Sequence, residues 1–322
     1  MPSPAHTVVI IGTGGTIAGT AAEPQDHTGY RAGTLNVQQL LQAVPALARD
    51  AESAIEAESL AQIDSCDMTH ATWLRLAQAV QRHARRPEVA GIVITHGTDT
   101  LEETACFLRH TVDAAKPVVL TAAMRPATAA SPDGPQNLID ALLVAREPAA
   151  RGVVAVVGGT VFAADALRKV HGHRVDAFSA GDAGPLALVQ NGRIRLLRPW
   201  PDRAPAFAPA LQTDPAQWPV VDIVTSHAGA RGASLQALVD AGTRGIVIAG
   251  TGNGSVHHSL LAAALQAVQQ GVRVVRASRC VEGGVIDGDP AAWPGGIASA
   301  GDATPAQARV ALMLALLLGR SG

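Results

Sequence analysis

Short β-branched apolar runs alternate with longer stretches of helical periodicity along the chain, and that alternation leaves few folds open. The runs at 7–11, 91–95, 117–121, 152–157, 221–225, 245–249 and 272–276 are almost continuously apolar, as parallel strands covered on both faces must be. Between and after them lie helical patterns at 37–44, 71–85, 101–114, 136–146, 234–241, 259–270 and 305–317. This order predicts an α/β architecture, doubly wound and mainly parallel. Periodicity lapses from 199 to 219, where prolines stand at 199, 201, 205, 209, 215 and 219. Proline lacks an N–H and breaks helix and strand alike. The stretch therefore reads as a linker between a larger doubly wound domain at 1–198 and a smaller α/β domain with a parallel sheet at 220–322.

Charge narrows the function. The 25 basic and 27 acidic side chains leave a formal net charge of −2 with no basic block, which excludes the electrostatic footprint of a nucleic-acid binder. The Lys/Arg-rich face of a membrane-surface protein is also missing. The apolar run at 310–318 is too short to span a bilayer. Cys66, Cys106 and Cys280 are odd in number and widely spaced, which fits a reducing compartment and no disulfide framework. The first residues carry no basic n-region, so the expected location is cytoplasmic, or periplasmic for a chain trimmed of its leader. Two scarcities stand out: only Lys116 and Lys169 are lysines, and Tyr30 is the single tyrosine. Arginine can supply surface charge, but only lysine's amine can lose a proton at accessible pH. Lys116, beside Pro117 at a strand start, reads as structural.

In doubly wound sheets ligands sit outside the carboxyl ends of the strands, so the loops after the strands matter most. After the first strand comes Gly12-Thr13-Gly14-Gly15-Thr16-Ile17-Ala18-Gly19. A dinucleotide fingerprint fails there because Ile17 holds the third glycine position, and a phosphate-binding P-loop fails because no lysine follows. What remains is a tight turn whose N–H groups suit an anion or an oxyanion, with two hydroxyls beside them. The loop His96-Gly97-Thr98-Asp99-Thr100 leads into Leu101-Glu102-Glu103. Asp99 or Thr100 reads as a helix N-cap with Glu102 or Glu103 closing a capping box. Capping does not explain a Thr-Asp pair at the ligand end of the sheet, where the carboxylate suits an ammonium and the hydroxyl an attack or a relay. Asp64-Ser65-Cys66-Asp67 offers Asp67 as a helix cap, Ser65 as a ligand for a carboxylate and Cys66 as a small buried filler. Lys169 follows the fourth strand; beside a carboxylate it stays charged, and desolvated it serves as a base for threonine. No H-E-x-x-H, paired cysteines or G-x-S-x-G elbow occurs, so neither a metal nor that serine chemistry is expected.

Taken together and in order, these motifs resemble the bacterial-type L-asparaginases of the asparaginase/glutaminase family. The resemblance runs through Thr-Gly-Gly-Thr-Ile-Ala-Gly at 13–19, His-Gly-Thr-Asp-Thr at 96–100, Ala-Met-Arg-Pro at 123–126, Asp-Gly-Pro-x-Asn at 133–137, Gly-Pro-Leu at 184–186 and Gly-x-Gly-Asn-Gly at 250–254. It implies hydrolysis of L-asparagine to L-aspartate and ammonia through a threonine nucleophile, with weaker action on glutamine and no cofactor or metal. By position it assigns Thr16 as nucleophile, Tyr30 as its lid partner, and Thr98, Asp99 and Lys169 as the second threonine, aspartate and lysine. Ser65 and Asp99 would hold the substrate's α-carboxylate and α-ammonium. Asn253 would be lent to a neighbouring subunit's site in a homotetramer built from two intimate dimers, with Asp289, or next Asp287, as its acidic companion. Cys66 departs from the glutamine often found after that serine. The rival readings are a nucleotide-binding module, resting on the glycine-rich loop, and a non-catalytic amino-acid sensor.

Overall fold

The computed structural model describes residues 7–26, 28–44, 54–201, 205–287 and 293–320. Contacts divide the chain into two compact units, Met1–Leu211 and Gln212–Gly322. The family of apolar runs in the first unit forms five parallel strands, β1 (Thr7–Gly14), β2 (Ile55–Ile63), β3 (Val89–Thr95), β4 (Val118–Thr121) and β5 (Val153–Val157). Helices α1 (Val37–Gln42), α2 (His70–Ala84), α3 (Leu101–Thr111) and α4 (Gly134–Arg146) alternate with them. An antiparallel extension, β6 (Thr160–Ala163), β9 (Ala187–Gln190) and β10 (Arg193–Leu196), completes an eight-stranded sheet ordered β10-β9-β6-β5-β4-β3-β1-β2. The residues Arg168–Lys169 (β7) and Phe178–Ser179 (β8) pair apart from it as a small ribbon.

Burial follows the sequence pattern. Val8, Val9, Ile10 and Ile11 in β1 have no exposed surface, as befits a strand with neighbours on both edges and helices on both faces. Each such side chain stabilises the fold by ~1.5–3 kcal/mol relative to leaving it in water. Trp73 of α2 stacks on Phe107 of α3 with centroids 5.1 Å apart, which joins the two helices over the sheet. The chain reverses direction across the sheet at β1: β2 lies on one side and β3, β4 and β5 follow on the other. That reversal opens a crevice at the carboxyl ends of β1 and β3, where doubly wound proteins bind their ligands.

The second unit holds four parallel strands in chain order, β11 (Val221–Thr225), β12 (Gly245–Gly250), β13 (Arg273–Ser278) and β14 (Ala298–Ser299). Side chains alternate across β12. Ile246 and Ile248 pack with Leu235 of α5 (Ala233–Asp240) and Leu260 of α6 (His258–Gln269). Gly245 faces Leu312 and Leu316 of α7 (Pro305–Leu317), leaving no room for a larger residue. α7 starts where Thr304 accepts from the Gln307 N–H and Gln307 returns the bond to the Thr304 N–H, with Pro305 as first helical residue.

The two motifs at 123–126 and 133–137 have a structural use. The Asp133 carboxylate accepts the Met124 and Arg125 N–H groups, both at 2.9 Å. Asn137 is buried in α4; it donates to the Ala122 carbonyl and accepts from the Gly158 N–H, each at 2.9 Å. One side chain thus ties the ends of β4 and β5. Asn137→Ala leaves the buried Ala122 carbonyl without this partner and frees the exposed Gly158 N–H, and is expected to lower the unfolding free energy by ~1–3 kcal/mol, read from urea denaturation.

Candidate active site

Three loops meet at the crevice, and glycine makes the meeting possible. Gly15 ends the β1 turn with φ 78°, and a Cβ there would fall 2.3 Å from the backbone of Gly97. A Cβ on Gly97 would in turn fall 2.5 Å from the Ser65 hydroxyl oxygen. The loops after β1 and β3 are therefore in contact backbone to backbone, with the Ser65 side chain of the loop after β2 packed against them. Thr13 adds a tie, its hydroxyl donating to the Thr95 carbonyl at 2.9 Å.

Thr16 opens a short 3-10 turn, Thr16–Ala18, and is buried. Its Oγ1 lies 2.6 Å from the Tyr30 hydroxyl, either of which can be the donor. Burial raises the Tyr30 pKa; the Thr16 bond opposes this, and Asp64 and Asp99 add to the rise. The phenol keeps its proton at neutral pH and acts as a hydroxyl, not as a phenolate. Opposite, on the β7–β8 ribbon, Lys169 Nζ donates to Thr98 Oγ1 at 2.9 Å and to Asp99 Oδ1 at 2.5 Å. An ammonium can only donate, so the Thr98 hydroxyl accepts from it and directs its own hydrogen elsewhere. The Asp99 N–H donates to Ser65 Oγ at 3.1 Å, and the Thr100 hydroxyl donates to the Ser65 carbonyl at 2.8 Å. With its oxygen accepting, the Ser65 hydroxyl has its hydrogen to give.

The structure thus brings together Thr16 with Tyr30, and Thr98 with Lys169, Asp99 and Ser65. Asn253 lies in the second unit, exposed, with its amide bonded to the backbone of Ile286. Asp289 lies outside the described residues. Asp287 forms an ion pair with Arg276 and accepts from Ser299. Among the described residues no group of three or more His, Cys, Asp or Glu side chains could hold a metal ion. No helix among them is long and apolar enough to cross a membrane.

Three expectations about this region are corrected. α3 begins at Thr100 without a side-chain cap; in place of a capping box, the Glu102 carboxylate reaches across to accept the Lys169 N–H at 3.0 Å. α2 is capped by Thr69, which accepts from the Thr72 N–H, and not by Asp67. Cys66 is exposed, because the 3-10 turn Ser65–Asp67 turns Ser65 inward and Cys66 outward. Its thiol pKa is raised by partial desolvation and by Asp64, Asp67 and Asp99, so it makes a poor nucleophile. His96, in the same loop as Thr98 and Asp99, has no exposed surface and belongs to the scaffold.

His96 shows how that scaffold is set. Its Nδ1 is 2.7 Å from the Gly97 carbonyl, which can only accept, so Nδ1 carries the hydrogen. Nε2 then accepts from Thr104 Oγ1 at 3.0 Å, and Thr104 accepts from the Trp73 indole at 2.8 Å. Burial pulls the imidazole pKa down to about 4, with the Gly97 bond opposing.

Comparison with known proteins gives the family. The family model described as Asparaginase, N-terminal, matches residues 7–202, and the Glutaminase/Asparaginase C-terminal domain matches 220–322. The chain belongs to the asparaginase/glutaminase family. Within that family of amidohydrolases it is 38% identical over 314 residues to L-asparaginase 2 of Escherichia coli (strain K12), covering 96% of this chain and 88% of that one. It is 34% identical over 322 residues to a glutaminase-asparaginase of Pseudomonas fluorescens biotype A, covering 96% and 86%. The crystal structure of a probable cytoplasmic L-asparaginase from Campylobacter jejuni superposes with a TM-score of 0.90 at 38% identity, over 97% of this chain and 95% of that one.

In this family member the His96 bridge makes a sign-specific prediction. The unfolded imidazole takes up its proton near 6.5 and the folded one only near 4. The penalty is absent above the first value and grows as pH falls through that window, to about 3 kcal/mol. His96→Gln is expected to flatten the pH dependence of the unfolding free energy between those two values. Parallel profiles for the two proteins would show that His96 titrates normally.

Proposed function

We infer that this chain is an L-asparaginase that hydrolyses L-asparagine to L-aspartate and ammonia through a threonine ester, and glutamine more slowly. The observation that carries the reading is the convergence of a Thr–Tyr pair and a Lys–Thr–Asp chain at the reversal point of the sheet. Support comes also from the family models and from relatives whose names include L-asparaginase and glutaminase-asparaginase.

The substrate's α-ammonium meets the Asp99 carboxylate and its α-carboxylate meets the Ser65 hydroxyl, which places the side-chain amide over Thr16. Thr16 Oγ1 attacks the amide carbon, and its proton passes by way of Tyr30 toward the departing nitrogen as the phenol gives up and regains one of its own. The C–N bond breaks, ammonia leaves and an ester to Thr16 remains. Backbone N–H groups of the glycine-rich turn stabilise the oxyanion, each worth about 3 kcal/mol. In the second half, Thr98, held by Lys169, relays a proton from the water that attacks the ester; aspartate leaves and Thr16 regains its hydrogen.

Aspartate-forming and glutamate-forming reactions differ by one methylene, which a pocket separates by ~1–3 kcal/mol. Cys66, exposed next to Ser65 and the departure from the glutamine that the resemblance implies there, is the residue through which this chain sets that ratio. Assembly as a homotetramer of two intimate dimers, with Asn253 and Asp289 serving a neighbouring subunit, completes the proposal; light scattering on the purified chain tests it. Three free cysteines and the likeness to a probable cytoplasmic enzyme favour a cytoplasmic location.

Ammonia release from asparagine is the deciding measurement. Thr16→Ala is expected to lower kcat by about 10³-fold or more with folding intact, and Lys169→Met to lower it as well. Full turnover in Thr16→Ala overturns the assignment of the nucleophile. Cys66→Gln is expected to change the ratio of kcat/KM for asparagine over glutamine, and an unchanged ratio removes Cys66 from specificity.

A further inference from the structure

The bulkiest fully buried side chain among the described residues is not hydrophobic. It is Arg276 on β13, 1% exposed. Its guanidinium carbon lies over the Trp293 ring, 4.0 Å from the centroid. One nitrogen, Nη1, donates to the Asn253 carbonyl at 3.2 Å, and Nη2 forms the ion pair with Asp287. Among the described residues Nε is buried without a hydrogen-bond partner. A charge sequestered with an orphan donor is a poor way to gain stability, since a well-packed apolar residue often does as well. The arrangement calls for a use other than packing.

The contacts of Arg276 show that use. They join two loops, the turn Gly250–Gly254 after β12 and the segment ending at 287 after β13. Gly254, with φ 75°, has no room for a Cβ because Arg276 Nη1 would be 2.9 Å away. Thr251 and Ser255 close the turn with reciprocal backbone bonds of 2.8 Å. The Ser278 hydroxyl donates to the Gly252 carbonyl at 2.6 Å. Across the gap, Asn253 Nδ2 donates to the Ile286 carbonyl at 2.8 Å while Oδ1 accepts the Ile286 N–H at 2.7 Å. A primary amide has two N–H donors and two acceptor lone pairs. Ile286 takes one of each, so one donor and one acceptor remain on an exposed side chain whose orientation is fixed.

We propose that Arg276 is a positioning residue for Asn253: it clamps the turn that carries Asn253 to the 285–287 segment and so sets the direction in which the remaining amide donor and acceptor face a bound amino acid. The inference rests on the reading above, in which Asn253 serves an asparaginase site. It also gives Asp287 a task. With one oxygen held by Arg276 and the other by Ser299, Asp287 anchors the clamp and is not the acid offered to a neighbour.

The test is steady-state hydrolysis of asparagine by the full chain carrying Arg276→Met with Asp287→Asn, Asn253→Ala, all three changes, or Arg276→Lys alone. The Met/Asn pair removes both charges together and is expected to fold with a thermal midpoint near the parent's. Because Asn253 touches groups that do not react, KM is expected to rise about tenfold (~1.4 kcal/mol) in the pair and in Asn253→Ala, with kcat within about twofold. Combining all three changes is expected to add nothing, since the clamp acts through Asn253. Arg276→Lys keeps the charge but not the planar fork, and is expected to raise KM by about threefold.

An unchanged KM in the pair while Asn253→Ala raises it overturns the inference and leaves the asparaginase reading standing. Additive effects in the triple variant do the same. An unchanged KM in Asn253→Ala removes the target of the clamp and overturns it too. No ammonia from the parent chain overturns both together. Should the pair fail to fold, an unchanged KM in Arg276→Lys overturns the inference by itself.

Discussion

The candidate site depends on one steric fact: two stretches of backbone approach more closely than any side chain would allow. Gly15 and Gly97 touch where the turns after β1 and β3 cross, and Gly97 presses on Ser65 from the turn after β2. Parallel strands deliver these three turns to one end of the sheet, but parallel order alone leaves adjacent strand ends about 5 Å apart, and side chains in the turns would hold them there. Removing the side chains lets the turns interlock. Thr16 and Thr98, each one residue beyond its glycine, then flank the same crevice. Any Cβ at either glycine separates the Tyr30–Thr16 pair from the Lys169–Thr98–Asp99 chain.

Around this contact the hydrogen bonds sort into those that fix backbone and those that leave a hydrogen free. Trp73, Thr104 and His96 form a closed chain ending on the Gly97 carbonyl, with each donor matched to an acceptor. Glu102 holds the Lys169 backbone from the first turn of α3. Ser65 and Thr98 are different: each accepts a bond from protein and retains a hydroxyl hydrogen to direct into the crevice. Rigid backbone and available hydroxyls are thus supplied by separate residues, which is what preorganisation requires.

Much of the fold is legible in the chain because buried parallel strands must be apolar throughout. β3, β4, β5, β11 and β12 begin and end within two residues of the apolar runs that announce them. β2 escapes because its edge position lets Glu56 and Glu58 face outward, paired with Arg86 and Arg82. The antiparallel strands β6, β9 and β10 escape because four residues carry too little pattern, although Asn191-Gly192, both at positive φ between β9 and β10, is a hairpin signal that was there to be read. At the site, the glycines and hydroxyls of the two loops are visible as unusual chemistry after strands, but their partners come from 30, 65 and 169. Those partners are bound through tertiary contacts that no local pattern encodes. Glu102 illustrates the limit: its local context suggests a cap, and the fold uses it as a strut for Lys169.

The scarcity of lysine has a practical side. Lys116 is half-buried, its amine donating to the Arg86 carbonyl, so among side-chain amines it is engaged from the start. The other is Lys169, 19% exposed at the mouth of the crevice. Reagents that acylate amines, whether to attach polymers, dyes or a solid support, would therefore find few harmless handles on this surface and one that sits beside Thr98.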